Sequence, residues 1–351
     1  MPRDHGYNSD RNERDCWEHA LPFHVYGQAF QHEDLATLTD AWARLISSGD
    51  AGESSYCTTA PSTRNSPSWN GYGLDMANSR FQSAESAGIT SANVPKLKLK
   101  WAFGFPDVTT SFGTPTVVRG WLYIGSADGT VYVLNAISGC IYWTYKATGV
   151  RTGTIISPDR TIAYISDLHA WVHAVNTQTG AQLWTVHVEN HPSASITGSL
   201  KLVGDRLYVP VSGGGDELAA GEANFVCCKF RGSLVALDAK TGKQIWKSYT
   251  ISDVAKMTGK TANGTEVWEP SGASIWSTPT IDLRKHAIYF GTGVNYTRPA
   301  TKTSDAVVAF DISTGKTLWS QQLIEVPTFT ISGALLRLSS TVRKPPDITS
   351  T

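Results

Sequence analysis

The segments VYVLNAISGCIYW (131–143), VHAVNTQTGAQLW (172–184), LVALDAKTGKQIW (234–246) and VVAFDISTGKTLW (307–319) repeat one pattern four times. Each has an alternating strand, an Asn or Asp, a turn closing on Gly, and a second strand that reaches a Trp. Trp143, Trp184, Trp246 and Trp319 each stand four residues after a glycine: Gly139, Gly180, Gly242 and Gly315. Apolar residues alternate within each unit, as at Val131 and Val133, which is the two-residue period of a strand. The Asn/Asp-x-x-Ser/Thr-Gly stretch reads as a tight turn whose glycine takes positive φ. The Trp-to-Trp intervals are 41, 62 and 73 residues, so a unit of about 40 residues recurs and accepts insertions at particular loops. The expected fold is all-β: a β-propeller of four-stranded antiparallel blades. Four unrelated hairpins of a sandwich would not keep the Trp at one offset, and stacked helical repeats have a different period.

The composition allows such a fold and narrows its partners. The 351 residues are 41% apolar, enough for a packed core, and 30 basic residues balance 30 acidic ones. No basic surface therefore favours nucleic acid. No apolar run is long enough for a membrane span, and the polar start MPRDHGYNSDRNERD lacks a signal peptide's apolar core. The five cysteines, Cys16, Cys57, Cys140, Cys227 and Cys228, show neither a disulfide framework nor a zinc spacing.

Three regions are expected. Residues 1–60 form a helical N-terminal segment, with Leu35, Leu38, Trp42 and Leu45 on one face; residues 61–323 form the propeller; residues 324–351 are an unpatterned tail. TTAPSTRNSPS (58–68) reads as a linker. LKLKWAF (97–103), with Trp101, reads as the last strand of a further blade. Blade three carries a Gly-rich insertion, GGGDELAAGEANFVCCKFRG (213–232), and blade four carries VNYTRPATKTS (294–304), each between its second and third strands. Both emerge on the face where the chain enters each innermost strand, so the chemistry is expected there.

The repeats, together with WNGYGLDMANSRFQ (69–82), CCKFRGSLVALDAKTG (227–242) and SIWSTPTIDLRKHAIYFGTG (274–293), resemble the pyrroloquinoline quinone (PQQ) dependent alcohol dehydrogenases, within them the polyvinyl alcohol dehydrogenases. The resemblance covers 69–323. It implies an eight-bladed disc, of which about four blades are legible, so an open, truncated and self-associating ring is expected. It also implies PQQ on the axis, a Ca²⁺ ion polarising its carbonyl, an Asp that takes the alcohol proton, electron transfer to a cytochrome c, and a periplasmic location.

Carried over residue by residue, the resemblance implies that Trp276 supports the quinone face and that Arg151 lies near the quinone oxygens. Thr197 and Ser212 would bond its polar rim, and Cys227 and Cys228 would form a vicinal disulfide near it. Glu217 would bind calcium, with Asp216 as the fallback. Asn295 would be the second metal ligand, one place later than the family pattern because Val294 follows GTG. The segment expected to supply the proton-accepting Asp is replaced by the tail, so no catalytic base is assigned. Residues 1–60 stand where a cytochrome c domain would be, as a degenerate remnant. Cys16 and His19, in CWEH, lack the second thiol of a C-x-x-C-H, so covalent haem is not expected. The expected activity is oxidation of polyvinyl alcohol or other secondary alcohols. The alternative is a non-catalytic propeller scaffold similar to outer-membrane assembly propellers.

Overall fold

The computed structural model describes residues 56–59, 67–219 and 224–324. The expected helical segment apart from 56–59, the tail beyond 324, Cys16 and His19 lie outside them. Four sheets follow one another along the chain, each with its strands hydrogen-bonded in sequence order. The first comprises β1 (Thr116–Val118), β2 (Trp121–Gly125), β3 (Thr130–Asn135) and β4 (Ile141–Lys146); the second β5 (Ile155–Ile156), β6 (Ile162–Ser166), β7 (Trp171–Asn176) and β8 (Gln182–His187). The third comprises β9 (Lys201–Val203), β10 (Arg206–Val211), β11 (Ser233–Asp238) and β12 (Gln244–Tyr249); the fourth β15 (Thr280–Asp282), β16 (Ala287–Gly291), β17 (Ala306–Asp311) and β18 (Thr317–Gln322). All their pairings are antiparallel, so these are the four blades read from the sequence.

The repeated turn has one geometry throughout. Asn135, Asn176, Asp238 and Asp311 each accept, on a side-chain oxygen, the backbone N–H groups two and three residues on. The closing glycines sit at φ between 71° and 80°, a region that L side chains enter at a cost. A register shift between the third and fourth strands recurs at the same place in every blade, which is the local twist that a bulge supplies.

Blade-to-blade packing explains why Gly and Trp repeat together. A Cβ on Gly180 would meet the Trp143 ring at 2.7 Å, one on Gly242 the Trp184 ring at 2.7 Å, and one on Gly315 the Trp246 ring at 2.6 Å. Each Trp therefore lies flat on the bare turn of the following blade. Three apolar clusters continue the contact: one joins Val133 to Ile165, another Tyr164 to Leu207 and Val235, another Tyr208 to Ile288 and Phe310. Each fully buried aliphatic side chain in them contributes about 1.5–3 kcal/mol.

Several expectations are corrected. Residues 97–105 form no strand, although Trp101 docks on Gly139, 2.9 Å from where its Cβ would lie, and donates to Ala136 O at 3.3 Å. The Trp-on-Gly contact needs only the ring, so it forms without a ladder. Four of the cysteines form disulfides: Cys57–Cys140, which joins positions 83 residues apart, was not expected, whereas the Cys227–Cys228 bond is the vicinal disulfide that the resemblance implies. Sequence spacing could not reveal the first, because Cys57 meets Cys140 through the return of a distant segment to blade one, where Cys57 N donates to Ile141 O. The blade-three insertion contains a short helix, α2 (Gly214–Ala219), which follows α1 (Ala84–Ala87), and an unforeseen hairpin, β13 (Lys256–Lys260) with β14 (Glu266–Glu269), stands between blades three and four.

Residues 69–82 form a strap across the inner strands of all four blades. Trp69 exchanges backbone bonds with Val117 on β1. Asn70 bonds both backbone groups of Ile156 on β5, at 2.8 and 2.9 Å. Lys201 on β9 donates to Tyr72 O at 3.1 Å and Asp75 O at 2.7 Å. Ile281 on β15 donates to Met76 O at 2.8 Å.

Candidate functional site

The first strand of each blade pairs with the second so that Thr116, Ile155, Lys201 and Thr280 stand opposite Tyr123, Tyr164, Tyr208 and Tyr289. These four tyrosines align the blades. Four residues before each paired position come Phe112, Arg151, Thr197 and Trp276. All four line one cavity of about 650 Å³, within the size range of small-molecule sites. Arg151, Thr197 and Trp276, each expected from the sequence, are thus brought together at equivalent points of successive blades. Phe112 was missed, although the offset from the tyrosine would have found it.

The inner ends that carry these residues are stitched together. Thr116 Oγ1 donates to Thr154 O at 2.6 Å, Gly153 N to Ser199 Oγ at 3.0 Å, and Ser199 N to Thr278 Oγ1 at 3.0 Å. Gly293, in the GTG segment, lies beside Trp276: a Cβ there would stand 3.1 Å from the indole nitrogen. Trp276 itself is 62% exposed, so its ring forms an open wall of the cavity. Ser212 is buried and does not line the cavity. Its hydroxyl bonds Thr197 at 3.0 Å and Ser195 at 2.9 Å, which fixes the Thr197 rotamer.

The strap closes the remaining side with Tyr72, Asn78 and Arg80, none of which the sequence reading had selected. Asn78 donates to Pro279 O at 3.1 Å and Thr280 Oγ1 at 3.0 Å. Among the described residues the lining includes two guanidinium groups, Arg80 and Arg151, and no Asp or Glu. Among the described residues neither arginine forms an ion pair. Arg151 lies over the Phe112 ring at 4.6 Å and Arg80 over the Tyr72 ring at 4.8 Å. A guanidinium laid on a ring keeps its edge N–H groups for a planar anion.

The other expected residues lie off this lining. Cys227 and Cys228 are buried beside Phe230. Asp216 is buried in α2 and accepts from Ser193 Oγ, and from Phe230 N at 3.4 Å. Glu217 belongs to the backbone of α2, and its side chain lies outside the described residues. Asn295 is buried with its amide closed on its own loop: Nδ2 donates to Pro299 O at 2.8 Å and Oδ1 accepts from Thr301 Oγ1 at 3.0 Å. Among the described residues no three His, Cys, Asp or Glu side chains gather as a metal site.

A family model described as outer membrane protein assembly factor BamB matches residues 91–265. Another, described as the β-propeller domain of glucose/ethanol/alcohol dehydrogenase, matches 217–329. Among curated proteins the chain is similar to the polyvinylalcohol dehydrogenase of Sphingopyxis sp. (strain 113P3), 37% identical over 83% of this chain and 45% of that protein. It is also similar to the polyvinylalcohol dehydrogenase of Pseudomonas sp., 38% identical over 75% of this chain and 42% of that protein. The chain therefore spans less than half the length of these relatives. Among solved structures, quinohemoprotein alcohol dehydrogenase from Comamonas testosteroni has the same fold, with TM-score 0.56 and 20% identity over 76% of this chain and 42% of that one.

Proposed function

The chain belongs to the PQQ-type β-propeller family that includes the quinoprotein alcohol dehydrogenases, and from that premise we propose that it takes part in PQQ-dependent oxidation of alcohols. One observation carries the reading: a cavity whose described lining has two arginines, two exposed aromatic walls and several hydroxyls but no carboxylate, at the inner ends of four blades. PQQ is a planar tricarboxylate, and this donor set fits it: Trp276 and Phe112 for the ring faces, Arg151 for anionic oxygens, Thr197, Ser199 and Thr278 for the polar rim. When bound, PQQ supplies the two-electron acceptor for the hydride that an alcohol carbon releases as it becomes a carbonyl.

The chain's own residues orient that reaction. Ser212 holds Thr197, the Gly153–Ser199–Thr278 bonds hold the rim, and Arg151 favours negative charge on its side of the cavity. No carboxylate lines the cavity among the described residues, so the base that takes the hydroxyl proton is unassigned. Calcium, implied by the resemblance, remains tied to Glu217. Asn295 is engaged within its own loop, and the described residues do not complete a metal site, so no step is derived through a metal.

Polyvinyl alcohol is the proposed substrate, supported by the relatives' activity and by a cleft open enough to leave Trp276 exposed. Transfer of electrons to a cytochrome c and a periplasmic location belong to the same proposal; the two disulfides support an oxidising compartment. No helix among the described residues is long and apolar enough to cross a membrane. A scaffold of the outer-membrane assembly type is the competing reading, and it gives no reason for two arginines without an ion-pair partner among the described residues to converge with exposed aromatics. Titration of the protein with PQQ, read by quenching of tryptophan fluorescence, tests the proposal. Saturable quenching that Trp276→Ala reduces is expected; absence of saturable binding would remove the enzyme reading.

A further inference from the structure

We propose that Arg80, carried by the strap, is a second anion anchor of the cavity and makes the strap part of the ligand site. This rests on the PQQ reading and deepens it, by assigning recognition of the ligand's carboxylates to a pair of arginines from distant parts of the chain. Arg80 and Arg151 share the lining, both lie against aromatic rings, and neither has an acidic partner among the described residues. Structural arginines at a protein surface usually neutralise a neighbouring carboxylate; here two face a cavity whose described residues include none, so the described lining holds positive charge that a polyanion would balance.

Arg80 is also held in place before any ligand arrives. Its backbone N–H donates to Gly73 O at 3.1 Å, and its guanidinium donates to the Tyr72 hydroxyl. Tyr72 O is held in turn by buried Lys201, and Asn78 ties the same turn to blade four. A preorganised guanidinium loses little freedom when it receives a carboxylate in its planar fork. Arg151, by contrast, precedes β5 in the loop that leaves blade one. The two cations thus approach the ligand from the strap and from the blades, a geometry that selects an anion with carboxylates on more than one edge over a monocarboxylate.

The test compares wild type, Arg80→Gln, Arg80→Lys and Arg151→Gln, using PQQ and benzene-1,3,5-tricarboxylate as separate probes, by calorimetry at low and high salt. Circular dichroism checks the fold, which the exposed Arg80 side chain should not disturb. Arg80→Gln is expected to weaken both probes about tenfold to a hundredfold, as loss of a charged hydrogen bond does, and to flatten the salt dependence. Arg80→Lys should recover part of the affinity through charge alone. If Arg80→Gln binds both probes within twofold of wild type, the proposal is overturned while the PQQ reading stands. If the tricarboxylate binds through Arg80 but PQQ does not bind, the anchor stands and the cofactor reading falls. If wild type binds neither probe, both fall.

Discussion

Replacing Gly180 with alanine is expected to destabilise the fold by about 2–5 kcal/mol, from two separable costs. Gly180 lies at φ 71°, and moving an L side chain into that region costs about 1–2 kcal/mol. The new Cβ would also stand 2.7 Å from Cε3 and 3.0 Å from Cδ2 of Trp143. That ring cannot swing away freely, since it is only 8% exposed and its Nε1 donates to Thr177 O at 2.9 Å. Overpacking against a fixed ring adds about 1–3 kcal/mol. Gly204→Ala is the control, because Gly204 has φ 58° and nothing within 4 Å of its would-be Cβ, so only the backbone cost applies. Urea unfolding followed by circular dichroism and tryptophan fluorescence measures both variants. If Gly180→Ala costs no more than Gly204→Ala, the Trp-on-Gly contact does not hold blades one and two together, and the radial packing argument loses its main support.

Lys201→Met removes the donor to Tyr72 O and Asp75 O; global stability should change by only about 1 kcal/mol, while hydrogen exchange at the Ile281 and Arg80 amides, which the strap protects, should quicken. Burial pushes Lys201 down to about 8 from 10.5, so the unfolded chain binds more protons between those values and the stability contribution rises with pH there; a Lys201→Met protein that keeps this rise would refute the assignment. Asp238 and Asp311 are held below the ordinary carboxylate range by the hydroxyls, then the backbone N–H groups, of Thr241 and Thr314. Their contribution is complete above the unfolded value near 3.8 and is lost as pH falls through the lowered folded values. The Asp238→Asn/Asp311→Asn protein, which adopts the residue that blades one and two already use, should be similarly stable at neutral pH and show a flatter acid limb; superimposable acid limbs would contradict this.

How much of the site the sequence disclosed depended on whether a signal was repeated. Arg151, Thr197 and Trp276 were selected by resemblance, and the structure shows that they hold one blade position, occupied in blade one by Phe112. That equivalence was hard to see because the four residue types differ and β5 has only two residues. Arg80 and Tyr72 were passed over because the strap has no repeat and no periodicity. Its residues become part of a site only when Ile156, Lys201 and Ile281, spread across three blades, bind it. Cys57 and Cys140 gave no sign of pairing for the same reason, since their partnership is a matter of where the chain returns.

The sequence by itself determined the blade: alternation, the Asx turn, glycine at positive φ and the Trp four residues on are local rules, each satisfied within a dozen residues. What only the tertiary structure decided is which side chains meet at the centre. The cavity is made by inner strand ends from four blades and a strap from elsewhere in the chain, and their convergence depends on how each Trp seats on the next turn. Local periodicity fixes the shape of a wedge, whereas the charge and lining of the space where wedges meet are set by residues whose sequence neighbours say nothing of one another.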